Sequence, residues 1–204
     1  MRRHLVLFVR LPRLGAGKKR LARDIGPVAA LRFQRLMLAR LLRRLGPDRR
    51  WRLRLAITPD RPRPRGLKLA AGTIVTPQGH GDLGDRMRRA LAQCPPGPAV
   101  LVGSDIPDLA SHHIAEAFRL LGRHDLIFGP TGDGGFWLVG ARNSRRLPPL
   151  FGANRVATVR WSTPHVLADT LADLPRRVSV GFAARLDDVD DGPAWQRLIP
   201  TSGV

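Results

Sequence analysis

The chain has 204 residues, of which 35 are Lys or Arg and 16 are Asp or Glu, so its formal net charge is +19. A hydrophobic content of 43% and a single cysteine exclude a disordered basic tail and an intrachain disulfide scaffold. The length suits one domain over residues 1–204, and the lone cysteine indicates a reducing compartment. Because no apolar run reaches the roughly 18 residues of a membrane span, we expect a cytoplasmic protein without membrane insertion.

Apolar patterns predict strands that alternate with helices along the chain. Strands are predicted at His4–Val9, Arg52–Ile57, Thr73–Thr76, Ala99–Gly103, Leu126–Phe128, Phe136–Val139 and Val178–Phe182. Helices are predicted from near Lys18, at Pro27–Leu45, Asp82–Gln93, Ser111–Leu121 (with Ser111 as N-cap), Pro164–Leu174 and near Trp195. Arg61–Gly66 is predicted to be a surface loop. The alternation indicates an α/β fold with a mostly parallel sheet and helices on both faces.

Ligands of open α/β sheets bind outside the carboxyl ends of the strands, which turns the strand list into a list of candidate site segments. These segments are Arg10–Arg20, Gln78–Arg86, Ser104–Asp108, Thr131–Gly135 and Asp187–Asp191.

The segment after the first strand is basic and contains glycines. Its candidate nucleotide-binding residues are Arg10, Gly15, Gly17, Lys18 and Arg20. Glycines allow close backbone approach, and a helix that starts near Lys18 would present free N–H groups to a phosphate. The segment is not a Walker A loop, because Pro12 and Lys19 occupy positions where that motif has Gly and Ser or Thr. A basic surface loop remains the alternative.

Gly79–Gly84 matches the G-x-G-x-x-G pattern of dinucleotide-binding loops, and Asp105 follows at about the expected distance. A carboxylate at Asp82 would repel a pyrophosphate, and the segment lies in mid-chain rather than after the first strand. We therefore disfavour a dinucleotide site.

Acidic residues mark three of the strand ends. Asp105 should project into the crevice, where a carboxylate suits Mg²⁺ or Mn²⁺, although an Asp that starts a turn is the alternative. Asp133 lies in an Asp-Gly sequence that is also a common hairpin signal. Alternation places Asp188 and Asp190 on one face, which suggests a second metal carboxylate facing Asp105; a solvated turn that caps a helix at Pro193 is the alternative.

The five segments together resemble a bacterial glycosyltransferase-like family (DUF2064, the radical-SAM/selenodomain-associated transferase 1 type) of the GT-A nucleotide-diphospho-sugar transferase superfamily. The resemblance covers nearly the whole chain. It extends over Phe8–Ala22, Gln78–Met87, Gly103–Leu109, Gly129–Gly140, Trp161–Thr163 and Asp188–Asp191. It implies a Rossmann-like three-layer αβα sandwich. Lys19, Arg10 and Asp191 depart from the family pattern, so an inactive member is left open.

The resemblance also implies roles for individual residues. Lys18 and Arg20 would contact the nucleotide phosphates, Asp105 and Asp190 would bind the metal, and Asp188 would be an alternative metal carboxylate. Lys18, Asp105 and Asp133 are the catalytic candidates. The donor pocket would be shaped by Gln78, Gly81, Asp82, Gly84 and Arg86, and the acceptor side would be formed by Asp133, Gly134, Gly135 and Trp161.

The predicted function is a Mg²⁺- or Mn²⁺-dependent transferase that uses a nucleotide-activated donor, with a nucleotide-sugar and a small acceptor as substrates. Nucleotidyl transfer from a nucleoside triphosphate, with release of pyrophosphate, is the alternative. The net charge of +19 also suggests a basic nucleic-acid-binding module. No helix-turn-helix or zinc-ligand spacing supports specific nucleic-acid recognition. The base, the sugar, the acceptor and a homo-oligomeric state are left open.

Overall fold

The computed structural model describes residues 1–60, 66–151 and 159–198, and these form seven strands and six helices. The strands are β1 His4–Arg10, β2 Arg52–Thr58, β3 Ile74–Pro77, β4 Ala99–Val102, β5 Leu126–Pro130, β6 Phe136–Ala141 and β7 Val180–Phe182. The helices are α1 Lys19–Ile25, α2 Pro27–Leu45, α3 Leu83–Ala92, α4 Ser111–Leu120, α5 Val166–Ala172 and α6 Gly192–Gln196. Five residues of the predicted loop at 61–66 lie outside the described residues.

The described strands form one sheet in the order β3-β2-β1-β4-β6-β5-β7. β1 pairs in parallel with β2 and β4, and β5 pairs in parallel with β7, whereas β6 is antiparallel to both of its neighbours. The mostly parallel sheet predicted from the sequence is therefore confirmed. The carboxyl ends of β1 and β4 lie side by side, and the loops that follow them meet at one edge.

Helices cover both faces of this sheet, as the alternating pattern predicts. On one face α2 and α4 pack on the strands through Leu41, Leu45 and Phe118, while on the other face α3 packs through Met87 and Leu91. Neighbouring residues of one strand face opposite sides, so Leu5 and Leu7 belong to the first layer and Val6 to the second. The resulting three-layer αβα sandwich confirms the predicted fold class.

The boundary of α4 differs from the prediction. Ala110, in extended backbone geometry, precedes the helix, and Ser111 is its first residue rather than its N-cap. The Ser111 hydroxyl donates to the carbonyl of Arg44 at 3.2 Å, so the side chain ties α4 to the end of α2 instead of capping its own helix.

His4 is a buried histidine at the start of β1. Its side chain is 3% exposed, and neither ring nitrogen has a hydrogen-bond partner among the residues that the structure describes. A buried polar atom left unsatisfied costs about 1–3 kcal/mol. Burial, followed by the charges of Arg54, Arg2 and Arg52, lowers the pKa of His4 below its ordinary value.

We expect His4→Leu to stabilise the protein more at pH 5 than at pH 8. Because the folded state holds the His4 pKa below 6.5, the unfolded chain binds this proton more readily, and the wild-type free energy of unfolding falls as the pH drops through 6.5. The loss is at most about 1.4 kcal/mol per pH unit, and leucine removes it. Urea unfolding at both pH values measures the effect, with the exposed His165→Gln as control. The same pH dependence in wild type and His4→Leu would contradict this assignment.

The single cysteine, Cys94, lies fully buried where α3 ends, against Ala90 and Leu91. Burial raises the pKa of its thiol to about 11. Among the described residues, no helix has the length and apolar character needed to span a bilayer.

Candidate active site

Lys18 lies at the centre of the carboxyl edge of the sheet, between the basic loop after β1 and the start of α1. Its backbone has the left-handed conformation (φ 44°, ψ 46°), which is uncommon for a residue with a side chain. This conformation accompanies an inward-facing side chain that is 9% exposed. The most buried cation of the loop therefore faces the ends of the strands rather than solvent.

Asp105, Asp188 and Asp190 surround the Lys18 ammonium. The Lys18 Nζ atom lies 2.5 Å from Asp105 Oδ2, 3.2 Å from Asp190 Oδ1 and 3.8 Å from Asp188 Oδ2. Asp105 follows β4, whereas the other two acids come from the segment before α6. The structure thus brings together four of the residues that the sequence singles out.

Mutual electrostatics shift the pKa values inside this cluster. Burial acts to lower the pKa of Lys18, but the charges of Asp105, Asp190 and Asp188 outweigh it, so the pKa is raised. Desolvation, followed by repulsion from Asp105, raises the pKa of Asp188 to about 6 despite the nearby ammonium. The Lys18 charge therefore offsets repulsion among carboxylates held close together.

Val189 holds the acidic segment in place. Its side chain is 3% exposed and packs with Leu21, Phe33 and Met37 of α1 and α2. Its backbone N–H donates to the Asp105 carbonyl at 3.2 Å. With Val189 turned into the core, Asp188 and Asp190 on either side of it face Lys18.

Asp191 and Asp187 have structural roles in the same segment. Asp191 caps α6 by accepting from the Ala194 N–H at 2.8 Å, which matches the capping alternative for this part of the segment. Asp187 accepts from the Gly132 N–H at 2.7 Å and so ties the segment to the loop between β5 and β6.

A cavity of about 230 Å³ opens beside Lys18 and Asp105. Its polar wall includes Arg10, Ser104 and Asp190, and α2 contributes an apolar wall of Phe33, Met37 and Leu38. Sequence reasoning missed the α2 residues because helical apolar positions were assigned to the core. The only available signal was that α2 follows the basic loop after the single short helix α1.

The remaining residues of the basic loop are more exposed. Arg20 is 69% exposed, and its Nη1 lies 3.9 Å from Asp190 Oδ2. Gly17 lies in the left-handed region (φ 79°), and a Cβ there would come within 2.9 Å of Arg10 Cδ. Gly15 lines a neighbouring cavity of about 270 Å³. Glycine at position 17 therefore lets the Arg10 side chain lie against the loop beside Lys18.

Gln78 lies beneath the site rather than on its surface. It is 2% exposed, and its Nε2 donates to the carbonyls of Val9 and Ala56 at 3.1 and 3.0 Å. The side chain therefore links the ends of β1 and β2, and it influences the pocket by fixing the strand from which the basic loop departs.

We expect Gln78→Leu to lower the free energy of unfolding by about 2–4 kcal/mol, because two buried carbonyls lose their donor. Urea denaturation measures this change. Gln93→Leu, at the exposed end of α3, is the control and should change stability by less than about 0.5 kcal/mol. Equal stabilities of the two variants would contradict the linking role.

The residues around Gly81 build the start of α3. Asp82 is the N-cap of this helix and accepts from the Asp85 N–H at 2.8 Å, so its carboxylate is committed to the backbone. Arg86 Nε donates to the Gly81 carbonyl at 3.0 Å. These contacts explain the G-x-G-x-x-G pattern as a helix-capping loop.

Trp161 packs beside this loop. A Cβ on Gly84 would lie 2.6 Å from the Trp161 ring, so the small residue admits the indole. The Phe151 ring lies between Trp161, to which it is tilted by 55°, and Phe136, on which it stacks, with ring centroids 5.7 and 5.9 Å away. The expected acceptor-side residue Trp161 therefore lies against the start of α3.

Asp133 shapes the loop between β5 and β6. Its Oδ1 accepts from the Thr131 hydroxyl at 2.5 Å and from the Gly135 N–H at 3.0 Å. Gly134 has φ 84°, and a Cβ there would lie 2.0 Å from the Pro164 carbonyl, so this position requires glycine. Asp133 is close enough to Asp188 to contribute to the raised pKa of that residue. The loop therefore borders the acidic cluster.

Within the part of the chain that the structure describes, no three Asp, Glu, His or Cys side chains are arranged around a common metal position. The carboxylates of Asp105, Asp188 and Asp190 instead converge on an ammonium group. Their hard oxygen atoms have the chemistry that Mg²⁺ and Mn²⁺ prefer, and they already surround a cation. The chemistry of these donors therefore suits a divalent ion, while their present geometry serves the Lys18 ammonium.

The fold defines the class. A seven-stranded, mostly parallel sheet between helical layers, with one antiparallel strand, is the GT-A type of nucleotide-diphospho-sugar transferase architecture. A family model described as "uncharacterized protein conserved in bacteria (DUF2064)" matches residues 41–163, and the chain belongs to this family. No curated protein matches the chain.

Solved structures share this fold. A protein from Desulfovibrio desulfuricans G20, provisionally described as a nucleotide-diphospho-sugar transferase, is 26% identical with a TM-score of 0.78 over 94% of this chain and 84% of that one. Rv0371c from Mycobacterium tuberculosis H37Rv, solved with manganese, is 20% identical, with a TM-score of 0.53 over 98% and 100% of the two chains. CMP:2-keto-3-deoxy-manno-octonic acid synthetase in complex with CTP is 12% identical, with a TM-score of 0.54 over 97% of each chain. The last two likenesses show the fold alone.

Proposed function

We propose that this protein is a metal-dependent transferase that moves a glycosyl group from a nucleotide-sugar to a small-molecule acceptor. The observation that carries the proposal is the convergence of Lys18, Asp105, Asp188 and Asp190 beside a cavity at the carboxyl edge of the sheet. The 26% identity to a protein provisionally described as a nucleotide-diphospho-sugar transferase supports the donor class.

The basic loop binds the donor diphosphate in this proposal. Lys18 and Arg10 line the cavity, and Arg20 adds a third cation at its exposed side. Their N–H groups donate to phosphate oxygens and hold the donor in register. The apolar wall formed by Phe33 and Met37 offers a surface on which a flat nucleobase can lie.

Asp105 and Asp190 would hold Mg²⁺ or Mn²⁺, with Asp188 as the neighbouring carboxylate. When bound, such an ion supplies positive charge that offsets the negative charge on the departing diphosphate. Manganese in the structure of Rv0371c supports this choice of ion. Lys18 contributes a fixed positive charge to the same leaving group.

The loop between β5 and β6 forms the acceptor side. Asp133 Oδ1 is engaged by the loop itself, whereas Oδ2 receives no hydrogen bond from the residues described in the structure. The free oxygen can accept a hydrogen bond from a hydroxyl group of the acceptor. Gly134 and Gly135 have no side chains above the loop backbone, so a small acceptor can approach the loop closely.

Nucleotidyl transfer from a nucleoside triphosphate is the second candidate. The chain shares its fold with a synthetase solved in complex with CTP. The row of Arg10, Lys18 and Arg20 can contact a triphosphate as well as a diphosphate. In this reaction the same cations and carboxylates would offset charge on departing pyrophosphate.

Calorimetry tests the proposal and separates the two candidates. The full chain is titrated with a panel of nucleotide-sugars and nucleoside triphosphates in Mg²⁺ or Mn²⁺. Preference for a nucleotide-sugar supports glycosyl transfer, and preference for a triphosphate favours nucleotidyl transfer. Asp105→Asn should lower the affinity for the preferred nucleotide by at least about tenfold, or about 1.4 kcal/mol.

Glu116→Gln is the matched control, because it removes one acidic charge from the exposed face of α4, outside the proposed site. It should leave the affinity unchanged. Absence of nucleotide binding by the wild type, or an equal effect of the two substitutions, would overturn the proposal.

A further inference from the structure

A second charged cavity lies at the opposite edge of the sheet from Lys18. It has a volume of about 520 Å³, and its wall includes Arg2, Arg49 and Arg52 together with Trp51 and Gly72. We propose that this arginine cavity, defined by Arg2, Arg49 and Arg52, binds the phosphate groups of a small polyanion. The site is distinct from the proposed active site, because it lies where β1 and β2 begin and not where they end.

The positive charges of this cavity are uncompensated within the described residues. No carboxylate there lies within ion-pair distance of Arg2, Arg49 or Arg52. The acid on the cavity wall, Asp48, is engaged by Arg50, whose Nη2 lies 2.6 Å from Asp48 Oδ2 and whose Nε lies 3.0 Å from Oδ1. Arg50 therefore neutralises Asp48 and leaves the three arginines without a counter-charge.

The backbone of Arg52 is held in the sheet at the start of β2. Its backbone N–H donates to the Arg3 carbonyl at 2.9 Å. A Cβ on Gly72 would lie 2.6 Å from Arg52 Nη1, and Gly72 itself has φ 77°. The glycine turn therefore leaves the space in which the Arg52 guanidinium lies.

The neighbouring histidine shows that this edge of the sheet is electropositive. Arg54, Arg2 and Arg52 all act to lower the pKa of His4, in addition to the larger effect of burial. An anion in the cavity would offset this repulsion. The charge distribution thus favours an acidic ligand at this edge independently of the proposed active site.

The ligand class follows from the donors and the volume. Guanidinium groups present paired N–H donors that match phosphate oxygens, and they stay charged at any physiological pH. A cavity of about 520 Å³ exceeds what one phosphate requires. The chemistry therefore selects a small molecule with two or more phosphoryl groups, and inorganic tripolyphosphate is the probe.

Calorimetry of the full chain with tripolyphosphate, in metal-free buffer, tests the proposal. Arg49→Gln/Arg52→Gln should weaken binding by at least tenfold. Arg49→Gln alone should weaken it severalfold, and because Arg49 is exposed this variant keeps the core intact. Lys18→Met should still bind tripolyphosphate at the arginine cavity with the wild-type affinity. This result would distinguish binding at the arginine cavity from binding at the donor pocket.

Arg35→Gln/Arg40→Gln is the control, since it removes the same charge from the exposed face of α2, away from the cavity. It should leave tripolyphosphate affinity within twofold of wild type. If both double variants lose the same tripolyphosphate affinity, the loss follows from net charge alone, and the proposed site is wrong. Absence of tripolyphosphate binding, or binding of an RNA oligonucleotide without tripolyphosphate binding, would overturn it as well.

Discussion

Lys18→Met is expected to raise the affinity of the nucleotide-free protein for Mn²⁺ by at least tenfold and to weaken nucleotide binding in Mn²⁺ by at least tenfold. The Lys18 ammonium occupies the space between the carboxylates of Asp105 and Asp190, so it competes with a divalent cation for the same oxygen atoms. Its removal frees those oxygens and also deletes a donor to the phosphates. Calorimetric titration with Mn²⁺, alone and then with nucleotide, measures both effects.

Lys19→Met is the matched control, because it removes the same charge one residue further along the chain, where the side chain is exposed. It should change both affinities by less than twofold. Thermal melts of both variants show whether the uncompensated carboxylates destabilise the fold, and titrations are made below the lower midpoint. Unchanged Mn²⁺ affinity in Lys18→Met would contradict the competition between lysine and metal.

Val189→Asp is expected to lower the free energy of unfolding by about 3 kcal/mol or more. The valine is 3% exposed within an apolar cluster, and an unpaired charge there loses its solvation without gaining a partner. Urea denaturation measures the loss. Because Val189 fixes the acidic residues on either side of it, the milder Val189→Ala should also weaken nucleotide binding in Mn²⁺ while the protein stays folded.

Val28→Asp provides the comparison. Val28 is 53% exposed in the first turn of α2, where an acidic residue interacts favourably with the helix dipole. This variant should be as stable as the wild type within about 0.5 kcal/mol. If Val189→Asp and Val28→Asp unfold at the same urea concentration, the conclusion that Val189 anchors the acidic segment in the core is wrong.

The strands of the sheet were predictable because their signals are local. Ala99–Gly103 is predicted as a buried strand from its continuous apolar residues, and the structure gives β4 at Ala99–Val102. Pro27 and Gly46-Pro47 mark the limits of α2, which spans Pro27–Leu45 as expected. The position of Asp105 beyond β4 followed from these boundaries together with the general rule for parallel sheets.

The contacts of Lys18 could not be predicted in the same way. Lys18 and Asp190 are separated by 172 positions, and their approach depends on how Val189 seats the last acidic segment on α1 and α2. Ser111 shows the same limit, since its hydroxyl serves the end of α2 instead of its own helix. The motif assigns Gln78 to the donor pocket. Its burial below the pocket depends on the packing of β1 against β2, which the motif does not show.

The burial of Cys94 makes the protein suitable for site-specific labelling. Its thiol is fully enclosed and has a pKa of about 11, so very little reactive thiolate forms near neutral pH. The sequence contains no other cysteine. A maleimide fluorophore or spin label added to the native protein should therefore react at a newly introduced surface cysteine and leave Cys94 unmodified. With one surface cysteine introduced at each edge of the sheet, the distance between the two edges then becomes measurable without first removing the natural thiol.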